Sequence, residues 1–323
     1  MNTTPARKTA AYSRLRRGCL YLVVFFVLFL MLLFPQTAAR GAKNGLILWS
    51  QTLLPILLPF LVLSALLIML HLTRPFELLL GPVFTRIFPV SAKACYPLLL
   101  GLLCGMPLGA KTTAQLYQLG QISERDAMFL LGFSNQASMM FLISYVAAKE
   151  LNVPHCAFLV LLVLYSSALL STFLFILPKQ FKKTPERETA DTKPRPELSF
   201  FTALDACIPE SFATITRVGG YVILFSMLSA FLTTLALPAP VSAVSCGLLE
   251  ITGGIQQILK TGLPAAQKTA LTLGVTAFGG LSGLMQTKSV TLSTGLSMRY
   301  YAFVKLMQGI IAYFLTLLIL SLR

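Results

Sequence analysis

Apolar runs of about 20 residues, divided by short polar breaks, make up most of this chain. At about 1.5 Å of rise per residue, such helical runs match the hydrocarbon core of a bilayer. Cys19–Phe34 follows a basic stretch, and without a clean A-x-A site near Thr37-Ala38-Ala39 it predicts an uncleaved first helix within 18–39. Leu46–Leu70 predicts the next span, with Trp49 near its start as an interfacial anchor. Residues 74–93 mix Arg74, Glu77, Arg86 and Lys93 into a short pattern that suits the membrane surface. Ala127–Ala148 and Val153–Pro178 predict two ordinary spans around Lys149-Glu150. After a Pro- and Lys-rich linker, 179–199, come Phe200–Leu237, Val241–Leu259, Ala270–Gln286 and Ala302–Leu320. The class is an all-α polytopic membrane protein with about six full spans.

Positive charge orients it. Arg7, Lys8, Arg14, Arg16 and Arg17 precede the first apolar run, and Lys179, Lys182, Lys183, Arg187, Lys193 and Arg195 fill the linker. Both clusters, and with them the N-terminus, are expected in the cytoplasm of a bacterial cell with this chain in its inner membrane. The first span then leaves and Leu46–Leu70 returns, placing 74–93 inside. Counting back from the linker also places residue 126 inside. Segment 94–118, apolar over Cys95–Ala110 and polar from Lys111 onward, must therefore enter and return on one side. A re-entrant helical hairpin with its tip near Gly105–Gly109 satisfies this. Broken backbone at membrane depth is tolerated where protein or a cavity surrounds it.

The two halves also resemble each other. FLVLSALL at Phe60–Leu67 matches FSMLSAFL at Phe225–Leu232, 165 positions on (225 − 60). Glu77, Gly81 and Gly101 match Glu250, Gly254 and Gly274, each 173 positions on (250 − 77), which sets Gly105–Lys111 opposite Gly279–Gln286. An odd number of intervening spans inverts the second copy. A second re-entrant hairpin, tipped near Gly279–Gly283, is therefore expected from the opposite side, completing an inverted structural repeat of the transporter kind. The chain divides into 1–43, a basic N-terminus with the first helix; 44–178, the first repeat; 179–199, the linker; and 200–323, the second repeat.

Composition agrees, with 56% hydrophobic and 11% charged residues against about 25% charged in soluble domains. A net charge of +15 raises nucleic acid as a partner, but the charges flank apolar segments and suit anionic lipid instead. Six cysteines without a C-x-x-C pair, and two histidines, supply no metal site. No cofactor is implied. Soluble-enzyme motifs fail as well. Gly105 with Ala110-Lys111-Thr112 lacks the second glycine of a phosphate loop, and Gly280-Leu281-Ser282-Gly283 is no nucleophile elbow.

What remains are the breaks. Gly101, Gly105 and Gly109 are spaced by four, as are Gly279 and Gly283, a pattern that also serves helix packing. Read functionally, these glycines and Pro107 break a helix and expose backbone N–H groups, and a half-helix N-terminus attracts an anion. Lys111 and Thr112 follow the first tip, and Gln286 and Lys288 the second, with Gly280 and Ser282 between them. Ser134-Asn135-Gln136 begins the span after the first hairpin and offers amides or a helix cap. Glu250, inside Val241–Leu259, faces either protein or interfacial water, with Arg217 as its candidate partner.

In combination, G-x-P-x-G-A-K at 105–111, Leu-Gly-Phe-Ser-Asn at 131–135, Gly219-Gly220 with Phe225-Ser226, Leu249-Glu250-Ile251 with Gly253, and Phe278-Gly279-Gly280-Leu281-Ser282 with Gln286 resemble the YlbJ-type sporulation integral membrane proteins. These carry a nucleoside-recognition, or Gate, domain. The resemblance covers about 44–320 and departs at Gln136-Ala137-Ser138, where a Ser/Asn-x-Pro pattern is more usual. It implies a spore-forming bacterium and a carrier for a small anionic, dipicolinate-like solute. The coupling ion and any homo-oligomer are left open. The alternatives are a nucleoside-type transporter and a non-transporting scaffold for the spore envelope.

Overall fold

A computed structural model describes residues 18, 21–70, 72–178 and 199–322. A short helix α1, Tyr21–Leu33, is followed by α2, Pro35–Met69, which is continuous through a π-turn at Trp49–Leu53. Next come α3 (Arg74–Ile87), α4 (Cys95–Cys104), α5 (Leu108–Gln118), α6 (Glu124–Phe133), the π-wound α7 (Phe141–Glu150) and α8 (Pro154–Ile176). The second half holds α9 (Phe200–Leu232), α10 (Ala239–Leu249), α11 (Ile251–Lys260), α12 (Ala265–Phe278), α13 (Gly280–Thr291) and α14 (Met298–Ser321). Among the described residues, α2, α8, α9 and α14 are each long and apolar enough to cross a membrane. The bent pair α3 and α4 passes the same test together, as a broken span or a re-entrant loop, and the all-α polytopic class read from the sequence holds.

The inversion is visible in the packing of equivalent spans. Gly41 and Gly45 of α2 face Met227 and Ile223 of α9, while Ala65 and Leu66 share a core with Ala203 and Cys207. Residue numbers rise along one helix as they fall along the other. The helices carrying FLVLSALL and FSMLSAFL therefore run antiparallel. The same holds for α8 and α14, since Tyr300 and Phe303 at the start of α14 meet Phe175 at the end of α8. Hairpin α4–α5 enters from the face holding α3, whose axis turns by 105° into α4. Its far end reaches Ser293 of the loop after α13 through Gln118. Hairpin α10–α11 starts beside the end of α9 and enters from the opposite face.

Three expectations are corrected. The second hairpin is α10–α11, folded at Glu250, whereas α12 and α13 run on past Gly279 without packing along each other. The matching register is therefore about 145, not 173: in the first hairpin a Cβ on Gly109 would lie 2.6 Å from Gly101 Cα, and in the second one on Gly254 would lie 2.0 Å from Gly247 Cα. The 173 register failed because α3 belongs only to the first copy and shifts everything after it. Residues 35–69 form one helix, so the break between the first two predicted spans falls at Phe34, ahead of Pro35, not near 40–45. Trp49 accordingly lies mid-helix, its Nε1 donating to the Ile215 carbonyl of α9 at 2.9 Å, and is no interfacial anchor.

Candidate functional site

Four backbone interruptions meet in the middle of the bundle. Cys104 is followed by Gly105 at φ +71°, which turns α4 into α5 through Met106 and Pro107. The Met106 N–H donates to the Gln136 carbonyl at 2.7 Å, tying this tip to the interruption 134–138 between α6 and α7. Gly101 lies against Ser134, whose hydroxyl donates to the Leu130 carbonyl. In the second half, Gly279 and Gly280 have φ of +84° and +69°, a conformation that side chains with a Cβ rarely adopt, and this separates α12 from α13. A Cβ on Gly280 would come within 3.1 Å of the Leu249 carbonyl at the second tip, and one on Gly279 within 3.0 Å of Met106 at the first. The α12–α13 break thus touches both hairpin tips.

A buried polar network fills this junction. Asn135 Nδ2 donates to Thr287 Oγ1 at 2.9 Å and to the Tyr301 hydroxyl at 2.8 Å. Lys305 Nζ donates to Gln136 Oε1 at 2.7 Å, and Gln136 Nε2 donates to Gln308 Oε1 at 3.1 Å. Gln308 Nε2 donates in turn to the Gly132 carbonyl. Gln286 donates to the Ser282 hydroxyl, and both are buried along α13. Lys305 is 1% exposed, and its Cε lies 3.7 Å from the Cβ position of Gly279. Among the described residues it has no carboxylate within 4.0 Å; the ion pair found there joins Lys111 to Glu210. A lysine buried within an apolar membrane-spanning helix is costly. Asn135 Oδ1 is buried and unpartnered among the described residues, which costs on the order of 1–3 kcal/mol.

Of the residues singled out from the sequence, Gly105, Pro107, Gly109, Ser134, Asn135, Gln136, Gly279, Gly280, Ser282 and Gln286 lie at or beside this junction. Others lie elsewhere. Lys111 turns away to α9, where Nζ meets Glu210 Oε1 and Thr214 Oγ1, each at 3.1 Å. Thr112 faces α2, 3.3 Å from the Ser64 hydroxyl. Lys288 is exposed in the last turn of α13. Glu250 is buried at the second tip, but its carboxylate accepts from the N–H groups of Thr252 and Gly253 at 2.9 and 2.8 Å and from the Thr252 hydroxyl, capping α11. Arg217 is exposed and makes no ion pair with it among the described residues. Missed were Thr287, Tyr301, Lys305 and Gln308. Lys305 and Gln308 stand three apart within the otherwise apolar Ala302–Leu320, a signal that was available.

Comparison with known proteins adds the family context. The family model described as Gate, nucleoside recognition, matches residues 51–178. The sporulation integral membrane protein YlbJ of Bacillus subtilis (strain 168) is 27% identical over 330 aligned positions, covering 90% of this chain and 80% of that protein. No solved structure matches. The resemblance seen in the motifs therefore holds over nearly the whole chain, and the chain is an integral membrane protein.

Proposed function

We propose that this membrane protein carries a small anionic solute across a bacterial cell membrane, in a setting of spore formation like that named for its relative. The observation that carries the reading is Lys305, buried at the meeting of both interruptions with no acid beside it. In a low-dielectric interior the charged form of a lysine is disfavoured without a counter-charge, and a solute anion supplies one. The helix starts nearby point the same way. α5 and α13 begin at the junction with no acid in their first turns and no side-chain cap, so the positive ends of their dipoles favour negative charge there, although the Gly109 N–H of α5 is already met by the Gly105 carbonyl. Lys111, whose charge Glu210 already meets, holds hairpin α4–α5 to α9 and leaves Lys305 as the solute's partner.

The two hairpins enter from opposite faces and both touch the Gly279-Gly280 break. Withdrawal of one hairpin opens the junction to its own side while the other keeps it closed, which is alternating access about a fixed site. The junction is closed in this structure, with Asn135, Thr287, Tyr301 and Gln308 all buried. A nucleoside-type solute is the second reading, favoured by the family description and by the amides of Asn135 and Gln136. Uptake into proteoliposomes, screened across small mono- and dicarboxylates and nucleosides, separates the two. Carboxylate uptake is expected; uptake of nucleosides alone would replace the first reading with the second, and uptake of neither would leave the scaffold.

A further inference from the structure

We infer that the solute brings a hydrogen-bond donor as well as a negative charge, and that Asn135 Oδ1, receiving that donor, determines specificity; this rests on the carrier reading above. Asn135 has no exposed surface, and both bonds from its amide nitrogen are directed at hydroxyls of the second half, Thr287 and Tyr301. In this structure the amide nitrogen faces these two hydroxyls. Its oxygen is left without a partner among the described residues and lies 3.9 Å from the Cβ position of Gly109, so it points at the first turn of α5. Lys305 reaches Gln136, the next residue of the same interruption. A solute lodged between tip and interruption therefore meets a cation and a bare acceptor on adjacent residues.

Few small anions suit both groups. A plain carboxylate answers Lys305 and leaves the Asn135 oxygen unpaired, a loss that a polar site imposes on any analogue lacking its donor. A fully ionised dicarboxylate does worse, setting a second acceptor against it. Hydroxy- and amino-substituted carboxylates fit, and so does a dicarboxylate that arrives as its half-protonated monoanion, the acid O–H donating to Oδ1.

The test is thermal unfolding of the purified full chain with benzoate, 3-hydroxybenzoate and 3-methoxybenzoate, and with 3-hydroxybutanoate and 3-methoxybutanoate, at matched concentrations. Each hydroxy acid should bind tighter than its methoxy partner by roughly threefold to tenfold, the worth of one neutral hydrogen bond. Lys305→Met should lose the response to every carboxylate. Asn135→Leu should keep a carboxylate response and lose the hydroxy preference, and if that variant does not fold, the wild-type series decides alone. Equal shifts within each pair, or a methoxy preference as expected of a reversed amide, would overturn the donor requirement and leave the carrier reading standing. No shift with any carboxylate would overturn both.

Discussion

In hairpin α4–α5 Gly109 rests on Gly101, and in hairpin α10–α11 Gly254 rests on Gly247, yet the helices leaving the two tips begin in opposite ways. α5 starts after Pro107 without an acid, whereas α11 starts on Glu250, whose carboxylate sits where an anion binds a helix N-terminus. The second hairpin thus carries its own anion. The first has Pro107 and no acid at the equivalent place. A second asymmetry agrees: hairpin α4–α5 is tied to α9 by Lys111–Glu210, while α10–α11 has no ion pair among the described residues. Repetition supplies a common backbone, and a few side chains at the tips divide the labour.

The shared part of this comparison gives the largest expected effect. Gly109→Leu and Gly254→Leu should each abolish uptake while the protein still inserts, because a side chain there meets backbone and forces the hairpin apart. The milder Gly→Ala pair ranks the sites: at 2.0 Å against 2.6 Å, Gly254→Ala should lower the unfolding transition more than Gly109→Ala, within the usual cost of about 1–3 kcal/mol for overpacking. Wild-type uptake by either leucine variant would reduce the glycine pairs to incidental packing.

The tether comes next. The Lys111 side chain is 8% exposed and that of Glu210 51%, so the two halves of the pair are not equivalent. Glu210→Gln leaves Lys111 buried without its acid, at a cost of about 1–3 kcal/mol. Lys111→Met leaves a carboxylate that can turn to water, at under about 1 kcal/mol. Chemical denaturation of both variants checks the order, and equal losses would remove the asymmetry. The smallest effect is expected at the self-capped tip, where Glu250→Ala should cost about 1 kcal/mol of stability, as a lost N-cap does, and Glu250→Gln less because an acceptor remains. An Ala variant as stable as wild type would mean the cap contributes nothing.

Much of this was legible before the structure. Charge at Arg14–Arg17 and in 179–199, together with the polar onset at Lys111, forced a re-entrant segment at 94–118 by topology alone, and Gly105 and Pro107 marked its tip. The antiparallel α2 and α9 could be read from one eight-residue match. The position of the second hairpin could not, because its turn carries neither Pro nor a positive-φ glycine: Glu250 is in extended backbone, φ −146°, and simply caps the next helix. A carboxylate inside an apolar run reads as a ligand until its partners are known to be its own backbone. Lys305 was overlooked for a related reason. Ala302–Leu320 satisfies every criterion for a plain span, and only the fold shows that position 305 faces two broken helices rather than lipid.

The central claim is that Lys305, and not Lys111, meets the solute's negative charge. Carboxylate uptake into proteoliposomes by wild type, Lys305→Met and Lys111→Met tests it most directly. Loss of a charge-assisted hydrogen bond of about 1.5–3 kcal/mol predicts roughly tenfold to hundredfold weaker uptake for Lys305→Met. Lys111→Met should stay close to wild type. Wild-type uptake by Lys305→Met, or a loss confined to Lys111→Met, would contradict the account.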